Sequence, residues 1–208
     1  MKNEVQKLFK FFKVLENLAL ERRAIQLSDG TLESTAEHCF STAMLVITLK
    51  PYIENKLDYT KALEMALIHD LGESITGDIG LHDQNKNIKQ DKYIKEKEAV
   101  YSMTELLHEQ ASNNIKKLWE EYEARKSNEA KLIKLLDVFD AMISVVNHPD
   151  FTYAGEYGDG QFYYNYYANL SPNKGLKVDG EIFEIIETTI RESMIKKMDD
   201  KGIKYNLK

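Results

Sequence analysis

The 208-residue chain sets 28 Lys and Arg against 34 Asp and Glu, a net charge of −6, with one Cys and three Pro. Its length suits a single domain with a real hydrophobic core, expected over 1–208, and 43% apolar with 30% charged residues excludes a disordered chain. The longest apolar run, Ala43 to Ile47, is far short of the roughly 20 residues that cross a bilayer, so no membrane partner is expected.

The N-terminus, Met1-Lys2-Asn3-Glu4, has no apolar core and no small-residue cleavage site, so export is not expected and the location is taken as cytoplasmic. The lone Cys39 excludes an intramolecular disulfide framework and a zinc site built from Cys. Net acidity argues against a partner that is a nucleic-acid polymer. Five His remain as the main candidates for titratable or metal chemistry.

Helical periodicity dominates the chain. From about Val5 to Leu27, Leu8, Phe11, Phe12, Leu15, Leu18 and Ile25 recur at three- and four-residue steps and predict one helix. A second begins at the capping box Ser34/Glu37 and runs to about Leu49, before Pro51. A third opens at Asp58 as N-cap, carries Leu63, Ala66, Leu67 and Leu71, and is expected to stop at Gly72 as C′ residue. A polar stretch, Glu73 to Asn87, follows. Charged helices are expected over Lys89–Gln110 and Asn113–Arg125, then an apolar one from Asn128 to about Val146, ending before Pro149. The last spans about Val178 to Lys197. Between these two, Phe151 to Tyr167 holds six of the twelve Tyr and reads as an irregular cap or dimer contact in preference to a substrate lid. No strand-rich section and no phosphate-binding glycine loop is expected.

Four polar residues interrupt apolar helices: His38 just inside the capping box, His69 and Asp70 after Met65-Ala66-Leu67-Ile68, and Asp137 between Leu135-Leu136 and Val138-Phe139. A carboxylate buried there costs several kcal/mol without a partner or a metal. Singly, each has an ordinary explanation: Asp137 could pair with Lys134 or Lys131, and Asp140, on the same face, could be the functional carboxylate instead. Together, two imidazoles and two carboxylates make an N/O set suited to Mn, Fe, Co, Ni or Zn with positions left for water.

That order of residues resembles the metal-binding signature of the HD-domain phosphohydrolase superfamily. Glu33-Ser34-Thr35-Ala36-Glu37-His38, His69-Asp70-Leu71-Gly72-Glu73 and Thr76-Gly77-Asp78 are similar to the 5′-deoxynucleotidase-like branch, over about 22–143. The resemblance implies an all-α, HD-domain-like helical bundle with a metal site between helices, on which segment 151–170 and the C-terminal helix pack. It implies one divalent ion (Mn, Co, Fe, Ni, Zn or Mg), a homodimer, and hydrolysis of (deoxy)nucleoside 5′-monophosphates to nucleoside and phosphate.

Carried onto this chain, His38, His69, Asp70 and Asp137 are the expected metal ligands, Glu73 the catalytic carboxylate, Asp78 the sugar contact, and Arg23, with Arg22 adjacent, the phosphate contact. Ala24 stands where the branch typically has a Trp, which brings ribonucleotides and other small phosphate esters within the expected range. Two further readings remain: another HD-type activity (phosphodiesterase, triphosphohydrolase or alarmone hydrolase), for which His82 and His108 would be the extra ligands, and a metal-stabilised nucleotide-binding protein without turnover.

Overall fold

Spacing and caps resolve, in a computed structural model that describes residues 1–78, 86–148 and 161–207, into an all-α protein with one small hairpin. The elements are α1 (Lys2–Leu15), α2 (Asn17–Leu20), β1 (Arg22–Gln26), β2 (Leu32–Ser34), α3 (Thr35–Leu49), a 3₁₀ turn (Lys50–Tyr52), α4 (Tyr59–Ile68), α5 (Glu73–Thr76), α6 (Lys86–Thr104), α7 (Glu109–Ala124), α8 (Asn128–Asn147), α9 (Gln161–Ala168), α10 (Pro172–Leu176) and α11 (Glu181–Asp200). No helix of the described residues is long and apolar enough to cross a membrane.

The expected helix to Leu27 is the main correction. The chain leaves helix after Leu20, and β1 pairs antiparallel with β2 in a register running from Arg22 opposite Ser34 to Gln26 opposite Leu32. The cause is the turn between them. Gly30 takes φ +88°, and the Asp29 carboxylate accepts hydrogen bonds from the backbone N–H and hydroxyl of Thr31. Leu18 and Ile25 continue a helical spacing only by coincidence, for they are buried in different cores.

α3 begins as the sequence indicates: Ser34 Oγ accepts from the Glu37 N–H while Glu37 accepts from the Ser34 N–H, closing both halves of the capping box. α4 is capped by Asp58, which accepts from the Lys61 N–H, but it ends at Ile68, short of Gly72. Gly72 has φ −60° and is not a left-handed cap. A Cβ there would lie 2.8 Å from Cβ and 3.0 Å from Cα of Glu96, so the glycine is what lets α6 close onto this turn. The two charged helices divide at His108, which caps α7 by accepting from the Gln110 N–H. The Tyr-rich segment is helical from Gln161, not irregular; its stretch 151–160 lies outside the described residues.

α8 is the central element. Ten of its apolar and polar side chains from Ala130 to Val145 are buried, on every face, and it packs against α3, α4, α7, α11 and β1. A second core of Phe11, Leu18, Leu71, Val100, Met103 and Trp119 sits on the other side of the Leu71-Gly72 turn. Burial of Leu71 anchors the turn immediately beyond Asp70.

Glu129 joins three helix ends. It accepts from the Asp58 N–H at 2.9 Å and pairs with Lys61 at 2.9 Å, and Lys61 also meets Glu121 at 2.8 Å. Burial works against ionisation of Glu129, but the Asp58 N–H and the Lys61 ammonium outweigh it and hold its pKa below the usual range. A depressed folded pKa contributes stability that is complete above the unfolded value of about 4.3 and is lost as pH falls through the folded value. Glu129→Gln is therefore expected to cost about 1 kcal/mol at pH 7 by denaturant unfolding, with the gap from wild type closing below about pH 4.

Candidate metal and phosphate site

His38 stands in the first turn of α3, His69 is the C-cap of α4, Asp70 follows in the turn, and Asp137 is mid-α8. Both imidazoles are fully buried. His69 Nδ1–H donates to the Ala66 carbonyl at 2.8 Å, a bond only a protonated nitrogen can make, and this turns Nε2 to the opposite side of the ring. His38 Nδ1 and Asp140 Oδ2 share a hydrogen bond at 2.7 Å, which directs His38 Nε2 toward His69. Burial raises the Asp140 carboxyl to about 7 despite the opposing Arg23.

The two Nε2 atoms face each other at 3.2 Å. Asp137 Oδ1 lies 3.2 Å from His38 Nε2, and Asp70 Oδ2 lies 3.6 Å from His38 Nε2 and 3.3 Å from His69 Nε2. Donors bound side by side to one ion at ~2.1 Å sit about 3.0–3.4 Å apart, so this spacing fits a single first-row divalent cation. Four converging electron-pair donors repel one another unless a cation lies among them. His38, His69 and Asp137 form one cluster of candidate ligands, Asp70 adjoins both imidazoles, and this N₂O₂ set fits a divalent metal.

Asp137 uses its second oxygen differently. Oδ2 accepts from Lys134 Nζ at 2.7 Å and from the Tyr122 hydroxyl at 3.1 Å. The Lys134 pairing and the inward-facing oxygen thus coexist on one carboxylate. Burial opposes its ionisation, but Lys134, His69 and Arg23 outweigh that and hold its pKa well below the ordinary range.

The donors lie at the edge of a cavity of about 410 Å³, within the usual size range of small-molecule sites. Arg23, Glu73, Asp78 and Lys92 line it, with Ala24 and the aromatic wall of Tyr93, Tyr166 and Tyr167. Arg23 reaches it because β1 is a strand: neighbours alternate in facing, so Arg22 points outward to Glu37 at 3.9 Å while Arg23 turns inward beside Glu33 at 3.4 Å. Burial alone would lower the Arg23 pKa, but Glu33, Asp70, Asp137 and Asp78 outweigh it and keep the guanidinium charged. Glu73, buried as the first residue of α5, accepts from Lys92 Nζ at 3.0 Å and from the Thr35 hydroxyl at 3.4 Å. Burial, then repulsion from Asp70 and Asp78, pushes its carboxyl well above the carboxylate range against the pull of Lys92. The Asp78 N–H donates to Glu21 at 2.9 Å, and burial raises the Asp78 carboxyl too.

Comparison with known proteins bears on this arrangement. The HD-domain family profile matches residues 15–173. The chain belongs to the HD-domain family. It is 36% identical over 145 residues to the 5′-deoxynucleotidase HDDC2 of Dictyostelium discoideum, a match covering 66% of this chain and 75% of that protein. The human protein of the same name is 34% identical over 119 residues, 57% of this chain, and the chain spans only 55% of its length. In fold it is similar to a predicted metal-dependent phosphohydrolase of Magnetospirillum magnetotacticum, with a TM-score of 0.75 at 21% identity over 93% of this chain and 96% of that one.

Several residues of this HD-domain protein were invisible to sequence reasoning as parts of the cavity. Lys92 and Glu96 look like an ordinary i,i+4 surface pair on a charged helix, and only the docking of α6 at Gly72 brings Lys92 inward. Glu33 is nearly fully buried, and its carboxyl is raised by burial to about 7 despite Arg23; the strand that carries it was not foreseen. Asp140, weighed as a rival to Asp137, lies behind His38 rather than among the inward-facing donors. His108 is a helix cap remote from the donors, and His82 lies outside the described residues. Asp140→Ala is expected to leave the helices folded but weaken Mn²⁺ or Co²⁺ binding about 10- to 100-fold in a chelator-competition titration, because the His38 ring loses its orienting partner.

Proposed function

We infer that this HD-domain protein is a metal-dependent phosphomonoesterase that converts deoxynucleoside 5′-monophosphates and water to nucleoside and inorganic phosphate. The observation that carries the reading is the convergence of His38 Nε2, His69 Nε2, Asp70 Oδ2 and Asp137 Oδ1 beside a cavity that also holds a buried arginine. Its relatives in Dictyostelium and humans bear the name 5′-deoxynucleotidase, which supports the substrate class.

His38, His69, Asp70 and Asp137 hold one divalent ion, drawn from Mn, Fe, Co, Ni, Zn or Mg. When bound, that ion supplies Lewis acidity toward a phosphoryl oxygen and a water acidified enough to attack phosphorus. Arg23 binds the phosphate: its planar fork matches two non-bridging oxygens, which a lysine does not reproduce. Glu73 acts as the proton carrier. Burial favours the protonated form of its carboxyl, and that proton can pass to the 5′-oxygen of the departing nucleoside. Asp78 accepts a hydrogen bond from a sugar hydroxyl. The wall of Tyr93, Tyr166, Tyr167 and Leu170 gives the flat, apolar part of a nucleoside a surface to lie on and excludes water from it. Ala24 leaves room beside the sugar, so discrimination against a ribose 2′-hydroxyl rests on other contacts. A homodimer, which rests on the resemblance, completes the reading.

Phosphate release from a panel of deoxy- and ribonucleoside 5′-monophosphates with Mn²⁺, Co²⁺, Mg²⁺ and Zn²⁺ tests the activity. Glu73→Ala is expected to keep its metal and lose turnover by about 10²- to 10⁴-fold, whereas Asp137→Ala loses the metal as well. Wild-type turnover in Glu73→Ala would remove the proton-carrier role. Failure of the wild-type protein to release phosphate from any nucleotide would leave a binding protein in its place.

A further inference from the structure

The cavity wall gathers more carboxyl groups than the proposed chemistry needs. Asp70, Glu73 and Asp78 share it, and Glu96 adds a fourth carboxylate, buried against Gly72. Lys92 is placed among them. Its Nζ lies 3.0 Å from Glu73 Oε1 and 3.3 Å from Glu96 Oε1, with four-fifths of its side chain covered. Glu73 is thereby held at both oxygens, Oε1 by Lys92 from α6 and Oε2 by the Thr35 hydroxyl from α3.

We propose that Lys92 is a positioning residue that acts through Glu73, fixing the orientation of its carboxyl group at the cavity wall rather than binding the phosphate itself. The proposal rests on the phosphomonoesterase reading for its consequence in turnover and on geometry for its mechanism. Two carboxylates already occupy the ammonium, one on its own helix and one on α5, so its charge is committed before substrate arrives. A buried carboxyl next to Asp70 and Asp78 is repelled by both, and without an attractive partner it has no reason to stay where the Thr35 hydroxyl alone, at 3.4 Å, would hold it. The arrangement also gives Gly72 a purpose. Only a residue without Cβ lets the backbone of Glu96 approach within about 3 Å of that position, and that approach brings Lys92, one helical turn earlier, within reach of Glu73.

The test uses full-length, metal-loaded Lys92→Met and Lys92→Arg, with deoxyadenosine 5′-monophosphate as substrate and inorganic phosphate as inhibitor. Lys92→Met is expected to lower kcat at least about tenfold while KM, the phosphate inhibition constant and the metal content stay within about threefold; Lys92→Arg recovers most of the loss. In a Glu73→Ala background, adding Lys92→Met costs less than about threefold, because the residue it positions is gone. A crystal structure of Lys92→Met should show the Glu73 carboxyl displaced from Thr35, and that of Lys92→Arg should show it in place. Additive losses in the double variant, or a rise in KM and phosphate inhibition constant with kcat retained, would assign Lys92 to the phosphate and overturn the proposal, as would an undisplaced Glu73 in Lys92→Met. A wild-type protein that frees no phosphate, with Glu73 displaced only in Lys92→Met, would sink the activity and leave the positioning role standing.

Discussion

Two buried imidazoles turn their Nε2 atoms toward each other at 3.2 Å, in a place where two carboxylates also converge. His69 Nδ1 is held by the Ala66 carbonyl and His38 Nδ1 by Asp140, which leaves both Nε2 atoms turned inward, flanked by the oxygens of Asp70 and Asp137. In water such groups would separate; in a buried site they stay because three helices hold them. The rest of the molecule answers to that constraint. Removing four donors from solvent and pointing them at one place costs energy that a bound cation returns, so metal affinity and folding are linked here.

The scaffold meets the cost by over-determining each donor. Asp137 and Asp140 leave α8 one turn apart, from a helix buried on nearly every side and therefore unable to rotate. His38 is fixed by a closed capping box four residues upstream, and Asp70 by the burial of Leu71 in the second core. Around the donors, charges are arranged in opposed pairs: Lys134 against Asp137, Arg23 against Glu33, Lys92 against Glu73 and Glu96. Each pairing leaves one atom or one face turned toward the cavity. A net acidic protein can in this way receive a dianion, because the cations that matter are local and partly buried.

What could be read in the sequence follows from whether the signal was local. The Ser34/Glu37 box, the Asp58 cap, the His69-Asp70 pair at the end of an apolar run and a lone Asp in the most apolar helix are all carried within a few residues, and α3, α4 and α8 follow from them. The hairpin was missed because Leu18 and Ile25 keep helical spacing across a Ser28-Asp29-Gly30 turn that outweighs it. Gly72 was assigned to the wrong task because a helix-ending glycine and one that admits a neighbouring helix look identical in one dimension. Lys92 was illegible for a stronger reason. Its place in the cavity is created by a contact with Glu73, 19 residues distant in sequence on another helix, and no local pattern records such a contact. Tyr166 and Tyr167 are an intermediate case: their richness in Tyr was plain, but their position on the cavity wall depends on the packing of α9 against α8 and α11.

The central claim is that four donors from α3, α8 and the end of α4 hold one ion. Anomalous diffraction at the manganese edge from crystals prepared with Mn²⁺ tests it most directly. The account predicts one strong peak enclosed by His38 Nε2, His69 Nε2, Asp70 Oδ2 and Asp137 Oδ1, about 2.0–2.3 Å from each, with Asp140 still bonded to the back of His38. A structure at saturating Mn²⁺ with no peak among those four atoms, or with the metal bound only elsewhere, would contradict it.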